Sequence, residues 1–130
     1  MSGKNQLDVL LKYWADKSTE SLEAAKDELK AGRISFSVNR IYYSCFYIVS
    51  AALLKDGHKF HKHSGVRAAF HKNLVKPGLV SLDLGEFYDA LYEARQRGDY
   101  IELVSFDKKL VEDWLKKARR FAEAINSIIR

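Results

Sequence analysis

Arginine and tyrosine recur in the sequence at spacings that place them on one face of a helix. In the first such segment, Phe36, Arg40, Tyr43 and Tyr47 follow one another at steps of four, three and four. An arginine inside an otherwise apolar helix is costly unless it is paired or faces a cleft. Two interpretations of Arg40 therefore stay open: an ion pair with a carboxylate of a neighbouring helix, or a contact to a ligand.

A second stripe combines Tyr88, Tyr92, Arg95 and Asp99 at the same kind of spacing, and Tyr100 follows it. An arginine can hold a phosphate in its fork of donors, and tyrosines can stack on a base. The alternative is local, with Arg95 paired to Asp99 and the tyrosines packed in the core. The predicted binding residues from both segments are Arg40, Tyr43, Arg95, Asp99 and Tyr100.

Positive charge is concentrated in one short part of the chain. The net charge is +5, from 22 basic and 17 acidic residues, and the segment between Lys55 and Lys76 contains Asp56 as its one acid. The basic patch that we expect there comprises Lys59, Lys62, Arg67 and Lys72. Such a patch attracts phosphate on RNA, on a nucleotide or on an acidic partner. The alternative is a solvated, lysine-rich connection between helices.

All four histidines lie in this same segment, and two of them, His61 and His63, are two residues apart. The spacing suits metal ligands on an extended loop, but no third ligand is close in sequence, so we predict no metal site and no cofactor. We expect His63 to cap or pack at the start of a short helix. The single cysteine, Cys45, lies on an apolar helix face and is interpreted as a small core residue.

The elements that must position these residues are helices, because apolar residues recur with helical spacing and no segment alternates with a period of two. Five helices are predicted, at about Asn5–Ala31, Ser35–Asp56, Ser64–Val75, from Ser81 or Asp83 to Arg97, and from Ser105 to the end, with Ser35 and Ser64 as N-caps. The predicted fold class is all-α, an antiparallel up-and-down four-helix bundle with one additional short helix. We expect residues 1–130 to form a single domain.

Composition narrows the class of protein further. Apolar residues make up 47% and charged residues 30% of the chain, which excludes a disordered tail. The longest apolar stretch, from Ile41 to Leu54, is too short to span a bilayer, and no basic, apolar leader opens the chain. One cysteine excludes an internal disulfide. We therefore expect a cytoplasmic protein with no membrane partner.

Four stretches in this order resemble the HEPN family, the higher-eukaryote and prokaryote nucleotide-binding helical domains, and in particular its small stand-alone prokaryotic branch. They are Asn39-Arg40-Ile41-Tyr42-Tyr43-Ser44-Cys45-Phe46, Ala51-Ala52-Leu53-Leu54 before Gly57, His63-Ser64-Gly65-Val66 before Phe70, and Arg95-Gln96-Arg97-Gly98-Asp99-Tyr100. The resemblance covers nearly the whole chain. It implies a helical bundle that forms a homodimer, often paired with a minimal nucleotidyltransferase in a toxin–antitoxin module.

The resemblance also implies a metal-independent RNA-cleaving site in active members, made of an arginine, four to six intervening residues and a histidine. In this chain Tyr100 stands at the four-residue spacing from Arg95, and the positions counted from Arg97 hold Glu102, Leu103 and Val104. A phenol with an ordinary pKa near 10 is a poor proton shuttle at neutral pH.

The leading hypothesis is therefore a dimer that binds a nucleotide, RNA or a nucleotidyltransferase, with little or no catalysis. The second hypothesis is an RNase toxin in which His63, from another segment, serves with Arg95, because a histidine can act from anywhere in the sequence if the fold brings it close. The third is a plain dimerisation module whose cleft residues only hold the subunits together.

Overall fold

The computed structural model describes residues 2–59, 62–100 and 106–129, without the side chains of Ser2, Lys4 and residues 97–100. Its helices are α1 (Ser2–Lys30), α2 (Ile34–Lys55), α3 (His63–Phe70), α4 (Leu82–Tyr100) and α5 (Lys108–Ile129). The described residues contain no strand, and the all-α antiparallel bundle of four long helices and one short helix is confirmed. Within these ranges, no helix is long and apolar enough to cross a membrane.

Helix α2 is the centre of the bundle, because α1, α3, α4 and α5 all pack against it. This position explains why the helix is apolar on most of its surface. Its fully buried side chains include Ile41, Tyr42, Cys45 and Val49. The expected role of Cys45 as a core residue is confirmed, since none of its surface is exposed.

Buried serines hold α1 against α2. Ser18 and Ser44 donate to each other's backbone carbonyl oxygens at 2.7 and 2.8 Å, and Ser21 donates to the carbonyl of Arg40 at 2.8 Å. Each hydroxyl thus has an acceptor, which removes most of the cost of burying it. Because these side chains are small, the two backbones approach closely, and α1 fixes the part of α2 that presents Arg40 and Tyr43.

The predicted N-cap of α2 is wrong. The helix begins at Ile34, and Arg33 occupies the cap position without a side-chain hydrogen bond. The preceding turn passes through Gly32, whose φ of 82° is accessible mainly to glycine. Because the chain reverses within these few residues, Ser35 already lies inside the first helical turn.

The start and end of α3 also differ from the prediction. The helix begins at His63, with extended Lys62 before it, so Ser64 lies inside the helix and is not its cap. Beyond Phe70 the chain continues as a π-helical turn, His71–Val75, rather than as α-helix. Such turns are rare and occur often near functional residues.

Helix α4 begins as predicted but ends later. The hydroxyl of Ser81 accepts a hydrogen bond from the backbone N–H of Leu84 at 3.2 Å, which is a side-chain N-cap. The helix continues through Gly98 to Tyr100 instead of ending at Arg97. A glycine inside a helix costs only about 1 kcal/mol relative to alanine, so it does not by itself end the helix.

Helix α5 begins at Lys108, and the predicted start, Ser105, lies outside the described residues. The carboxylate of Asp107 accepts a hydrogen bond from the N–H of Lys109 at 3.2 Å and caps the first turn. The buried apolar residue of that turn is Val111, whereas Leu110, the residue that its spacing predicts to face inward, is 41% exposed.

Candidate functional site

His63, the first residue of α3, is fixed on α2 by a hydrogen bond and a ring contact. The hydroxyl of Tyr42 and Nδ1 of His63 lie 2.7 Å apart. The imidazole stacks on Phe46, with ring centroids 4.4 Å apart and planes 13° from parallel. Since Tyr42 and Phe46 are one turn apart on α2, they lie on one helix face and together form the surface that His63 contacts. The expectation that His63 packs at the start of the short helix is confirmed.

Arg95 of α4 reaches the same part of α2. Its Nη2 donates to the hydroxyl of Tyr43 at 2.9 Å, and its guanidinium lies 5.2 Å from the ring centre of Tyr43 and 5.4 Å from that of Tyr42. The ring of His63 is 5.7 Å from that of Tyr43, edge to face. The fold therefore brings together the arginine and the histidine of the second hypothesis, which are far apart in sequence.

The electrostatics of this cluster keep His63 and Tyr42 in their neutral forms. Burial and, after it, the charge of Arg95 lower the pKa of His63 below 6.5, so the imidazole is neutral at pH 7. Burial raises the pKa of the Tyr42 hydroxyl well above its usual range, so it keeps its proton. An anion that enters the cluster meets a guanidinium beside neutral hydrogen-bonding groups.

Arg40 approaches Tyr43 as a second guanidinium. It lies 5.4 Å from the centre of that ring, and its Nη2 donates to the side-chain oxygen of Asn39 at 2.8 Å. Among the described residues no carboxylate pairs with Arg40, so the ion pair with a neighbouring helix is not found there. Two guanidinium groups thus contact one tyrosine ring.

A cavity of about 300 Å³ opens beside Arg95, between α2 and α4. Phe36 and Asn39 line it from α2, and Ala94 and Phe106 complete its walls. Its volume is at the lower end of the range of small-molecule sites. An apolar wall with an arginine at its edge suits a ligand that combines a flat ring with a phosphate.

The tyrosine stripe of α4 is core rather than a stacking surface. Tyr88 is fully buried and Tyr92 is 9% exposed, so neither offers a face to a base. The ring of Tyr88 packs against those of Phe70 and Phe121, at 4.9 and 5.9 Å. The packing interpretation is confirmed for both tyrosines, and the base-stacking one is wrong.

The other two predicted binding residues, Asp99 and Tyr100, have side chains outside the part of the molecule that the structure describes. Their backbones belong to α4. The local pairing of Arg95 with Asp99 stays a prediction for the same reason.

The basic patch divides into two groups in the structure. Lys59, Lys62 and Lys72 are exposed, whereas Arg67 is partly buried and forms an ion pair with Asp89 of α4, Nε to Oδ1 at 2.8 Å. No acidic residue is close to Arg67 in the sequence, but the packing of α3 near α4 brings Asp89 into contact with it. The lysines keep the character of a solvated basic surface.

A metal site is not formed by the histidines that the structure describes. The described residues contain no group of three His, Cys, Asp or Glu side chains able to hold a metal ion. His63 directs Nδ1 toward Tyr42, and His61 lies outside the described residues.

Tyr42, Phe46 and Asp89 contact the candidate site residues, and sequence reasoning did not predict these contacts. Tyr42 and Phe46 stand on the apolar face of α2, where the helical pattern predicts packing in the core. The sequence does contain a signal for this contact, because residues four apart lie side by side on one face of a helix. For Asp89 the signal was its place three residues before Tyr92, on the stripe that carries Arg95.

The chain is similar to a known family and to several known proteins. The model of the HEPN domain matches residues 11–128. A Thermotoga maritima protein named "UPF0332 protein" is 47% identical over 125 residues, which is 96% of this chain and 95% of that protein. A Methanocaldococcus jannaschii protein named "Putative toxin MJ0142" is 35% identical over 118 residues, 91% of this chain and 78% of that protein. With nearly its whole length matched, the chain belongs to the HEPN domain family.

Proposed function

We propose that this protein binds single-stranded RNA through a phosphate held at Arg95. The observation that carries the proposal is the convergence of Arg95, Arg40 and His63 on Tyr43. Guanidinium groups bind phosphate oxygens with short, charge-assisted hydrogen bonds. The exposed lysines Lys59, Lys62 and Lys72 add the long-range attraction that nucleic acids require.

We further propose that the protein is one half of a toxin–antitoxin-type pair that acts in the cytoplasm. Its membership of the HEPN family and a relative named "Putative toxin MJ0142" support this role. The partner that we propose is a minimal nucleotidyltransferase. Such a partner would either cover the Arg95 site or modify it, and in both cases RNA binding would be controlled.

The protein acts as a homodimer in this proposal, with the face of α2 that carries Arg40 near the two-fold axis. Phe36 of that face is 61% exposed. It lines the cavity beside Arg95 and a second one formed with Ala24, Glu28, Asn39 and Arg40. A second copy would bury this ring and bring two Arg95 sites close together.

RNA cleavage is the second candidate function, favoured by the contact of His63 and Arg95 with the same two tyrosines. In the tautomer whose Nδ1–H donates to the Tyr42 hydroxyl, the neutral His63 has an unprotonated Nε2 for a ribose 2′-hydroxyl. In such a step, Nε2 takes the 2′-hydroxyl proton while the 2′-oxygen bonds to phosphorus, and the 5′-oxygen leaves with a proton from water. Arg95 would stabilise the charge on the phosphate.

The deciding experiment measures binding and cleavage of one labelled single-stranded RNA, with EDTA present. We expect the wild type to bind, Arg95→Gln to lose about tenfold or more in affinity, and no variant to cleave above background. Cleavage that disappears in both Arg95→Gln and His63→Gln would establish the second function instead. A wild type that binds no RNA at low salt would contradict both and leave a dimerisation module.

A further inference from the structure

Arg67 lies in a row of three basic or titratable side chains along α3 and the π-helical turn. His63, Arg67 and His71 follow at steps of four, so they share one face; His63 contacts α2, and the other two contact α4. On α4, Asp89 and Tyr92 oppose this row. One carboxylate oxygen of Asp89 accepts hydrogen bonds from Nε of Arg67 and from Nε2 of His71, both at 2.8 Å.

The guanidinium of Arg67 is held on two sides. Asp89 takes its Nε–H, and the ring of Tyr92 lies beneath its plane, 4.6 Å from the guanidinium carbon to the ring centre. Among the described residues, no acceptor contacts its two Nη groups. About a third of the side chain is exposed. The result is an arginine fixed through its Nε–H and through the ring of Tyr92, with part of its side chain exposed.

Arg67 and Arg95 contact two rings, those of Tyr92 and Tyr42, that are themselves neighbours. Tyr92 lies 6.2 Å from Tyr42 between ring centres, and Arg95 lies 5.4 Å from Tyr42. With the 4.6 Å from Arg67 to Tyr92, the two guanidinium groups are no more than about 16 Å apart. A short single-stranded RNA spans such a distance.

We infer that Arg67 is a second phosphate-binding residue, which takes a neighbouring phosphodiester of the same RNA that Arg95 holds. The inference rests on the proposed function. A guanidinium offers two parallel donors to phosphate oxygens, and Tyr92 and Asp89 fix its orientation before the ligand arrives, which lowers the entropy lost on binding. Asp89 is a positioning residue, since its own charge repels phosphate.

A purely structural role is the competing explanation. The Arg67–Asp89 pair would then only tie α3 to α4, and its loss would lower stability without changing the response of RNA binding to salt. A phosphate contact has a distinct signature, because each phosphate neutralised on a single strand contributes about 0.7 to the slope of log affinity against log salt.

The test measures fluorescence anisotropy of a labelled octaribonucleotide at several salt concentrations. We compare wild type with Arg67→Gln, Arg95→Gln and, as a control with the same change of charge, Arg119→Gln on the exposed side of α5. Arg67→Gln should lose about tenfold in affinity and about 0.7 of the salt slope, while Arg119→Gln stays near wild type. Circular dichroism establishes that each variant is folded.

The outcomes separate the two proposals. If wild type binds and Arg95→Gln does not, but Arg67→Gln behaves like Arg119→Gln, the inference about Arg67 is wrong and the proposed function stands. If wild type does not bind the octamer, the proposed function itself fails. Should Arg67→Gln not fold, Arg67→Lys keeps the charge but loses the fork of donors. It should then bind more weakly than wild type, and unchanged affinity would overturn the inference.

Discussion

The 2.7 Å hydrogen bond between the Tyr42 hydroxyl and Nδ1 of His63 joins the central helix of the bundle to the first residue of α3. It fixes Nδ1 of the imidazole on the central helix, in the cluster that also contains Arg95. Without it, the histidine would keep ring contacts, among them those with Phe46 and Tyr43. The orientation of a neutral imidazole depends on such a fixed partner.

Replacing Tyr42 by phenylalanine should therefore lower the free energy of unfolding by about 1 kcal/mol, the usual net value of a hydrogen bond. The ring and its packing stay, so a larger loss would mean that the core has rearranged. Tyr47→Phe is the matched control, because the described residues give the Tyr47 hydroxyl no hydrogen bond while its ring packs on Trp14. Urea denaturation of both variants measures the difference, and equal stabilities would contradict the prediction.

The pKa of His63 should rise toward its ordinary value when Arg95 is replaced by glutamine. Burial is the larger cause of the lowered pKa and remains, so the rise should be partial. An NMR titration of the imidazole resonances measures it. A His63 pKa that is the same in wild type and Arg95→Gln would show that the two side chains do not interact.

Stability should depend on pH through the same histidine. Because the pKa of folded His63 lies below its unfolded value near 6.5, the unfolded chain binds more protons as the pH falls through this region. The contribution of neutral His63 to the free energy of unfolding is thus complete above about pH 6.5. It is lost as the pH falls toward the pKa of the folded state. Urea midpoints between pH 7.5 and 5 should decrease less in His63→Gln than in wild type. If the urea midpoints of wild type and His63→Gln fall equally with pH, His63 is not the cause of the pH dependence.

Replacing Phe36 by glutamate should dissociate the proposed homodimer into monomers. We expect sedimentation and light scattering to give a dimer at micromolar concentration, and a monomer for Phe36→Glu. Leu79→Glu is a suitable control, since Leu79 is exposed to a similar degree, 58% against 61%, in the turn before α4. A wild-type protein that is monomeric at this concentration would disprove the assembly.

The exposed lysines should set the salt dependence of RNA binding. Replacing Lys59, Lys62 and Lys72 together by glutamine should reduce the slope of log affinity against log salt by up to about 2, if each neutralises one phosphate. The comparison variant changes Lys108, Lys116 and Arg119, which are exposed on α5. Equal slopes in the two triple variants would identify the patch as a solvated surface alone.

The fold could be predicted from the sequence because its signal is local. Helical spacing and few breaking residues are enough to define four long helices, and α2 is apolar on nearly every face because it lies at the centre. The predictions are wrong where contacts with neighbouring helices determine which residue is buried or where a helix ends. Leu110 and Val111 are adjacent on the edge of the apolar stripe of α5, and only the packed helices select which one is buried. Glycine at position 98 looks like an end of α4, yet the helix continues.

The site was only partly predictable for a related reason. Arg40, Tyr43 and Arg95 could be identified because each belongs to a helical stripe. The approach of His63 to Arg95 depends on how α3 lies across α2, which no local spacing specifies. The pairing of Arg67 with Asp89 likewise joins two helices, so a charge count along the segment from Lys55 to Lys76 overstated its free positive charge.

The buried cysteine can serve as a probe for opening of the helical bundle. Cys45 has no exposed surface, and burial raises the pKa of its thiol above the usual range, so a thiol reagent at neutral pH finds neither access nor thiolate. Labelling must then wait for α2 to separate from its neighbours. With one thiol in the chain, the labelling rate measures how often the centre of the bundle opens, and a ligand or second subunit that holds the bundle closed should slow it.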